Sequence, residues 1–184
     1  FDLLSTTFYY TFFGTIGSIV FGILTAQLVN QKFFGRTFMR SVLLFPYVGP
    51  VVALAYTWEL LLDPYSGTLN NLLMNFQVIQ EPLNLLGQKY LTINFFGFDL
   101  KLRLALTTVI IFEIWRYFPL AFLFILARLQ AVPKELYEAA EVDGAGPLQK
   151  FTNITLPQIT AVISILFMIR FIWNFNKFED IFLL

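Results

Sequence analysis

An all-α architecture, a polytopic transmembrane helix bundle, is the expectation for this chain, and two features support it. Hydrophobic residues make up 58% of the 184 positions and charged ones only 13%, well beyond the apolar share of a soluble domain. They are also gathered into runs: Leu3 to Gln31 and Ser41 to Trp58 carry no charge at all, and about 20 such residues in a helix cross the hydrocarbon core of a bilayer. The pattern predicts spans at about 3–29, 41–62, 104–127 and 156–175.

In the first span Gly14, Ser18, Gly22 and Ala26 recur every four residues, a stripe that lets a second helix approach closely where lipid supplies no hydrophobic drive. Lys32, Arg36 and Arg40 crowd the connector to the second span, which the positive-inside rule puts in the cytoplasm. Asp63-Pro64-Tyr65-Ser66-Gly67 closes that span as a turn. Residues 63–103 then form an outer loop, with a short amphipathic helix expected where Leu69, Leu72, Leu73 and Phe76 repeat after Thr68. The third span returns the chain to Arg128 and Lys134, so residues 129–155 are read as cytoplasmic. The chain starts at Phe1 inside an apolar stretch and ends in another, so it is expected to be a segment of a longer protein, not one opened by a signal peptide.

The composition excludes several classes of function. Twelve basic residues balance twelve acidic ones and there is no His, so nothing points to nucleic acid or to a zinc site. Absence of Cys removes disulfide and thiol chemistry. A membrane enzyme would need a nucleophile, base or metal cluster, and Glu113 is the lone carboxylate deep in a span, so no catalytic residue and no metal ligand is assigned.

The segment 138–157 is charged and turn-bearing. Pro133 suits a first helical turn, Glu135, Glu138 and Glu141 favour that end electrostatically, and a short helix over 133–142 follows. Asp143-Gly144-Ala145-Gly146 tolerates left-handed backbone angles, and Pro147 can restart a helix toward Leu156-Pro157. The product is a helical elbow outside the membrane; from physics alone it could equally be an ordinary capped loop.

Within the spans, Glu113, Arg116, Tyr117 and Leu120 share one helical face, and Arg170, Trp173, Asn174 and Lys177 make another. Tyr47 stands between Pro46 and Pro50, one turn from Val51. Ionisable residues in a span mark a cavity or an internal pair. One reading is a solute path with stacking rings and hydrogen-bonding polar groups. The other is a Glu113 to Arg116 ion pair with Arg170 snorkelling to the outer interface.

Glu138-Ala139-Ala140, Asp143-Gly144-Ala145, Phe151, Ile154 and Leu156-Pro157 resemble the EAA signature of permease subunits of binding-protein-dependent ABC importers. Pro46-Tyr47-Val48-Gly49-Pro50, Gly67-Thr68-Leu69-Asn70, the run from Leu126 to Pro133, and Trp173-Asn174-Phe175-Asn176 extend the likeness along nearly the whole chain, toward the carbohydrate-uptake branch. The resemblance implies a type I permease core in a bacterial inner membrane. It also implies an elbow that couples to an ATPase through Glu138, Ala139, Ala140, Asp143 and Gly144, and a sugar path lined by Tyr47, Val51, Glu113, Arg116, Tyr117, Leu120, Asn174 and Lys177. Charge at Glu113, Arg116 and Lys177 departs from the maltose-type pattern, so an acidic sugar or a sugar phosphate fits as an alternative cargo.

The implied partners are a second homologous permease, two cytoplasmic ATPase subunits, an extracytoplasmic solute-binding protein and the lipid bilayer. No phosphate loop of the Gly-x-x-x-x-Gly-Lys type is present. The chain is therefore expected to bind no cofactor itself, with ATP and Mg on the partner ATPase. A passive channel or scaffold subunit is the alternative of another kind, since polar helix faces also line pores.

Overall fold

A computed structural model describes residues 2–88, 90–95 and 98–176, with side chains described for 4–88, 90 and 103–176. The elements run α1 (Asp2–Asn30), α2 (Arg36–Val48), α3 (Val51–Leu62), α4 (Thr68–Asn75), β1 (Leu91–Phe95), β2 (Phe98–Leu102), α5 (Leu104–Gln130), α6 (Lys134–Val142), α7 (Pro147–Lys150) and α8 (Leu156–Phe175). Between α7 and α8, Phe151–Thr155 is a π-helical turn. The chain from Pro147 to Phe175 is consequently one 29-residue helix with a widened turn near its start.

Among the described residues three helices are long and apolar enough to cross a membrane: Leu4–Asn30, Leu104–Gln130 and Pro147–Phe175. Each is about 40 Å long at the α-helical rise, against a hydrocarbon core of about 30 Å. They pack on one another to make the core, in which Phe122, Ile125 and Ile159 are wholly buried. The stripe of small residues on α1 faces α5: a Cβ added at Gly22 would stand 2.6 Å from Ala121 Cβ and 2.9 Å from the Phe122 amide nitrogen. Backbone meets backbone there, the close approach that replaces hydrophobic drive between helices in lipid. On the other sides Leu24, Leu28, Met168 and Ile172 are exposed.

The segment expected as the second span, 41–62, falls on two helices that together are long and apolar enough for one bent span. α2 and α3 meet at 97° across Gly49 and Pro50. Pro50 lacks the N–H that would continue the helix and biases its predecessor toward extended angles; Gly49 duly sits at φ −65, ψ 147. With 13 and 12 residues, each arm is about 20 Å long, too short to cross alone. The α3 arm packs through Leu54 and Ala55 against Phe112, and Trp58 sits 5.4 Å from the Phe112 ring and 5.5 Å from that of Trp115.

Beyond α3 the backbone turns on Asp63, whose carboxylate oxygen Oδ1 accepts hydrogen bonds from the Tyr65 and Ser66 amides and the Ser66 hydroxyl. Those donors, the Ser66 amide foremost, hold its carboxyl below the usual carboxylate range. The short helix expected after Thr68 is α4, and its buried Asn70 ties it down. The Asn70 side-chain amide donates to Asp63 O and Leu83 O, and its oxygen accepts from the Leu83 amide. The loop 63–103 also carries an antiparallel hairpin, Leu91 opposite Leu102 through Phe95 opposite Phe98. It adds a small extracore feature to a helical bundle. Its signal was present in Leu91-Thr92-Ile93-Asn94-Phe95 and Phe98-Asp99-Leu100-Lys101-Leu102, which alternate apolar and polar with a period of two.

Candidate functional site

The elbow is built by chain stops and side-chain ties. Pro133 caps α6, Glu135 lies in its first turn, and α6 ends at Val142. The Gly144 amide then donates to Glu141 O at 3.0 Å and the Ala145 amide to Ala140 O at 2.8 Å, with Gly144 at φ 75. That pair of bonds is a Schellman stop, which requires a left-handed residue at the Gly144 position. Gly146 opens the next helix, its amide donating to Gln149 Oε1 at 2.8 Å, and Pro147 occupies the first turn.

Across the elbow, Lys150 Nζ meets Glu141 at 2.6 Å and the Tyr137 hydroxyl lies 3.0 Å from Thr155 Oγ1. At its root Arg128 donates to Gln158 twice, from Nε to the backbone oxygen and from Nη2 to Oε1. The two arms are thus cross-linked along their length. No residue of α6 is buried. Glu138, Ala139, Asp143 and Gly144 are exposed and Ala140 is half-buried, while Leu136, Val142 and Leu148 expose apolar side chains at 42%, 88% and 74%. A rigid, apolar-tipped protrusion of this kind is suited to being gripped.

The last helix starts at Pro147, nine residues before the expected 156. Its π turn precedes Pro157, whose ring would press on the carbonyl four residues back in a regular helix. Widening the turn relieves that clash, and the Leu156 amide reaches back to Phe151 O instead.

The second constellation lies inside the bundle. Arg170 on α8 donates from Nη2 to Glu113 Oε1 on α5 at 2.5 Å, with the two side chains 1% and 0% exposed. The alternative in which Arg170 snorkels to the outer interface is overturned, because a carboxylate within reach replaces the headgroup region as its partner. The Arg170 guanidinium also stands 4.1 Å from the Tyr117 ring centre, and that of Arg116 4.9 Å from the same ring. Tyr117 in turn meets Tyr47 of α2 edge to face at 6.1 Å.

The expected lining residues therefore separate into groups. Tyr47, Arg116 and Tyr117 converge, and of these Tyr47 is exposed and Arg116 half-buried. Val51 is half-buried at the start of α3. Leu120 borders an apolar groove of about 240 Å³ with Leu166, Ile169 and Trp173. Glu113 and Asn174 turn into the helix packing: the Asn174 amide donates to Thr15 Oγ1 on α1 at 3.3 Å, and a Cβ on Gly14 would lie 3.1 Å from Glu113 Cγ. Lys177 lies outside the described residues. Missed in the sequence were the contributions of Thr11 and Thr15 on α1, fully buried beside Ser18 of the small-residue stripe. Their hydroxyls recur at helical spacing, a signal that the neighbouring glycines obscured.

Known proteins are similar to this chain in sequence and fold. The chain is 37% identical over 178 residues to the inner membrane ABC transporter permease protein YcjO of Escherichia coli, covering 97% of this chain and 57% of that protein. It is 30% identical over 190 residues to the trehalose/maltose transport system permease protein MalF of Thermococcus litoralis, covering 99% and 59%. It is 30% identical over 175 residues to the sn-glycerol-3-phosphate transport system permease protein UgpA of Escherichia coli, covering 95% and 54%. The chain thus spans somewhat over half the length of these relatives. Its fold matches a bacterial ABC transporter for the acidic polysaccharide alginate, with a TM-score of 0.74 at 24% identity over 90% of this chain and 54% of that one. The alginate transporter in complex with an alginate pentasaccharide-bound periplasmic protein gives a TM-score of 0.72 at 25% identity, over 90% and 53%. With several membrane-crossing helices and inner-membrane relatives, this is a multi-pass inner-membrane protein. Residues 18–178 match the binding-protein-dependent transport system inner membrane components, and the chain belongs to that family.

Proposed function

We propose that the chain is the core of a permease subunit in an ATP-driven importer that moves a sugar or oligosaccharide inward by alternating access. The observation that carries this reading is the elbow: a cross-linked helical protrusion with no buried residue on α6, joined without a break to a membrane-length helix. Docked in an ATPase subunit through Glu138, Ala139, Ala140, Asp143 and Gly144, such an element turns closure of two ATPase domains into rigid-body rotation of α5 and α8. The elbow would then be cytoplasmic and the loop 63–103 external. A second homologous permease, two ATPase subunits holding ATP and Mg, and an extracytoplasmic binding protein complete the machine.

The solute path runs past Tyr47, Val51, Arg116, Tyr117 and Leu120. The exposed Tyr47 ring supplies stacking surface for a sugar, and Arg116 supplies a cation. That cation favours a second cargo, an acidic sugar or a sugar phosphate, because a guanidinium pairs with carboxylate and phosphate oxygens in bidentate fashion.

The test is reconstitution of the full-length permease with its cognate partners. Gly144→Pro should abolish substrate-stimulated ATP hydrolysis, since proline cannot take the φ of 75 that the stop requires. Unimpaired stimulation in that variant would sink the coupling role. Uptake by the wild type of labelled maltotriose, alginate trisaccharide and glycerol-3-phosphate, each with and without Arg116→Ala, sorts the cargo. Selective loss of the anionic solutes on removing Arg116 identifies the second reading, and uptake without ATP would make the protein a passive channel.

A further inference from the structure

We propose that Arg170 is a positioning residue for the solute path: held by Glu113, it fixes the Tyr117 ring and, through that ring, the exposed Tyr47. The proposal rests on the reading that Tyr47, Arg116 and Tyr117 border that path.

Arg170 is 1% exposed within a single chain, and added subunits can only lower that figure, so it cannot itself touch a solute in this conformation. Nη2 is spent on the Glu113 carboxylate at 2.5 Å, and the guanidinium carbon lies 4.1 Å from the centre of the Tyr117 ring. Glu113 and Tyr117 are one turn apart on α5, so a single planar cation on α8 engages both, one through its edge and one through its face. A guanidinium can do this because its donors lie in the plane while its faces stay free for an aromatic ring. An ammonium, a point charge with three rotating donors, cannot present both surfaces at once.

Other demands on the cation are few. Among the described residues Arg170 Nε and Nη1 have no hydrogen-bond partner, and neither has Asn174 Oδ1 one turn further along α8. The carboxylate and the ring are therefore the contacts that orient it. From Tyr117 the order passes outward to Tyr47 on a different element, ring edge to ring face at 6.1 Å, where Tyr47 is 38% exposed. The chain Glu113, Arg170, Tyr117, Tyr47 thus runs from a sealed ion pair to an accessible aromatic surface and links α8, α5 and α2.

Two variants of the assembled full-length transporter in proteoliposomes test this. Arg170→Lys keeps the charge next to Glu113 but loses the planar face; Glu113→Leu with Arg170→Met replaces the pair by apolar side chains of similar volume, a change that buried pairs often tolerate. Both are expected to assemble and to retain the maximal uptake rate within about twofold. The KM for maltotriose, alginate trisaccharide or glycerol-3-phosphate, whichever the wild type imports, should rise about tenfold, the scale of one desolvated cation–ring contact. An unchanged KM in the assembled variants overturns the proposal, as does a fall in maximal rate alone, which would give the pair a purely structural or mechanical role. Should the double variant fail to assemble, Arg170→Lys alone decides the matter. A wild type that imports none of the three solutes, or does so without ATP, overturns the underlying reading and not this one.

Discussion

Among the described residues, the Arg170 guanidinium has left water for a hydrogen bond to one carboxylate and the face of one aromatic ring. Removing a single partner of such a pair leaves an uncompensated buried charge, at a cost of about 3–5 kcal/mol. Helical periodicity in the sequence placed Glu113 and Tyr117 on a common face. It could not show which cation would reach them, because Arg170 lies 57 residues away and only the packing of α8 on α5 brings it close. Local chemistry was easier to read: Asp63-Pro64-Tyr65-Ser66-Gly67 was legible as a turn because every bond in it spans two to four residues. Asp63 also gives a pH dependence. Its folded pKa lies below the unfolded value of about 3.9, so the turn's stabilisation is complete above that value and disappears as pH falls through the folded one. Corrected amide-exchange protection of Tyr65 and Ser66 should therefore hold at pH 7 and be lost toward pH 2; in Asp63→Ala it should be weak at both. Equal protection at the two pH values would show that the carboxylate does not secure the turn.

The helices themselves follow from features of a few residues each. The small residues of α1 announced a close helix contact, and Gly22 against the Phe122 amide realises it. Gly22→Ala should force α1 away from α5 and destabilise the bundle by about 1–3 kcal/mol, seen as a lower midpoint for thermal unfolding of the purified complex in detergent. A matching substitution at Gly35, where nothing lies within 4 Å of the added carbon, meets only its own φ of 84. The bend between α2 and α3 was harder to foresee. Pro46 and Pro50 were both visible, yet Pro46 is carried inside α2 while Pro50 ends it, and hydropathy does not separate the two cases. The hairpin was missed for a related reason, since ten alternating residues weigh little in a chain dominated by long apolar runs. Pro157 likewise gave no hint that the helix before it would be continuous, because a π turn is invisible to a period of 3.6 residues.

At the scale of the whole molecule, a chain with no native Cys allows its proposed orientation to be read directly. A lone Cys at Val142, 88% exposed, should react with a membrane-impermeant maleimide only from the cytoplasmic side, and one at Phe76, 76% exposed, only from outside. Labelling of both from one side would overturn the topology. Membrane class and helix bundle were legible because apolar run length depends on bilayer thickness alone. The interior of the site was not, because it is assembled from α1, α2, α5 and α8, whose mutual register no local pattern records. The unbroken course from Pro147 to Phe175 has a geometric consequence. Twenty-nine residues make a rod of about 43 Å, so a tilt of about ten degrees about its far end sweeps Pro147 through about 7.5 Å. A small pull on the elbow and a small rearrangement around Arg170 are then two ends of one lever.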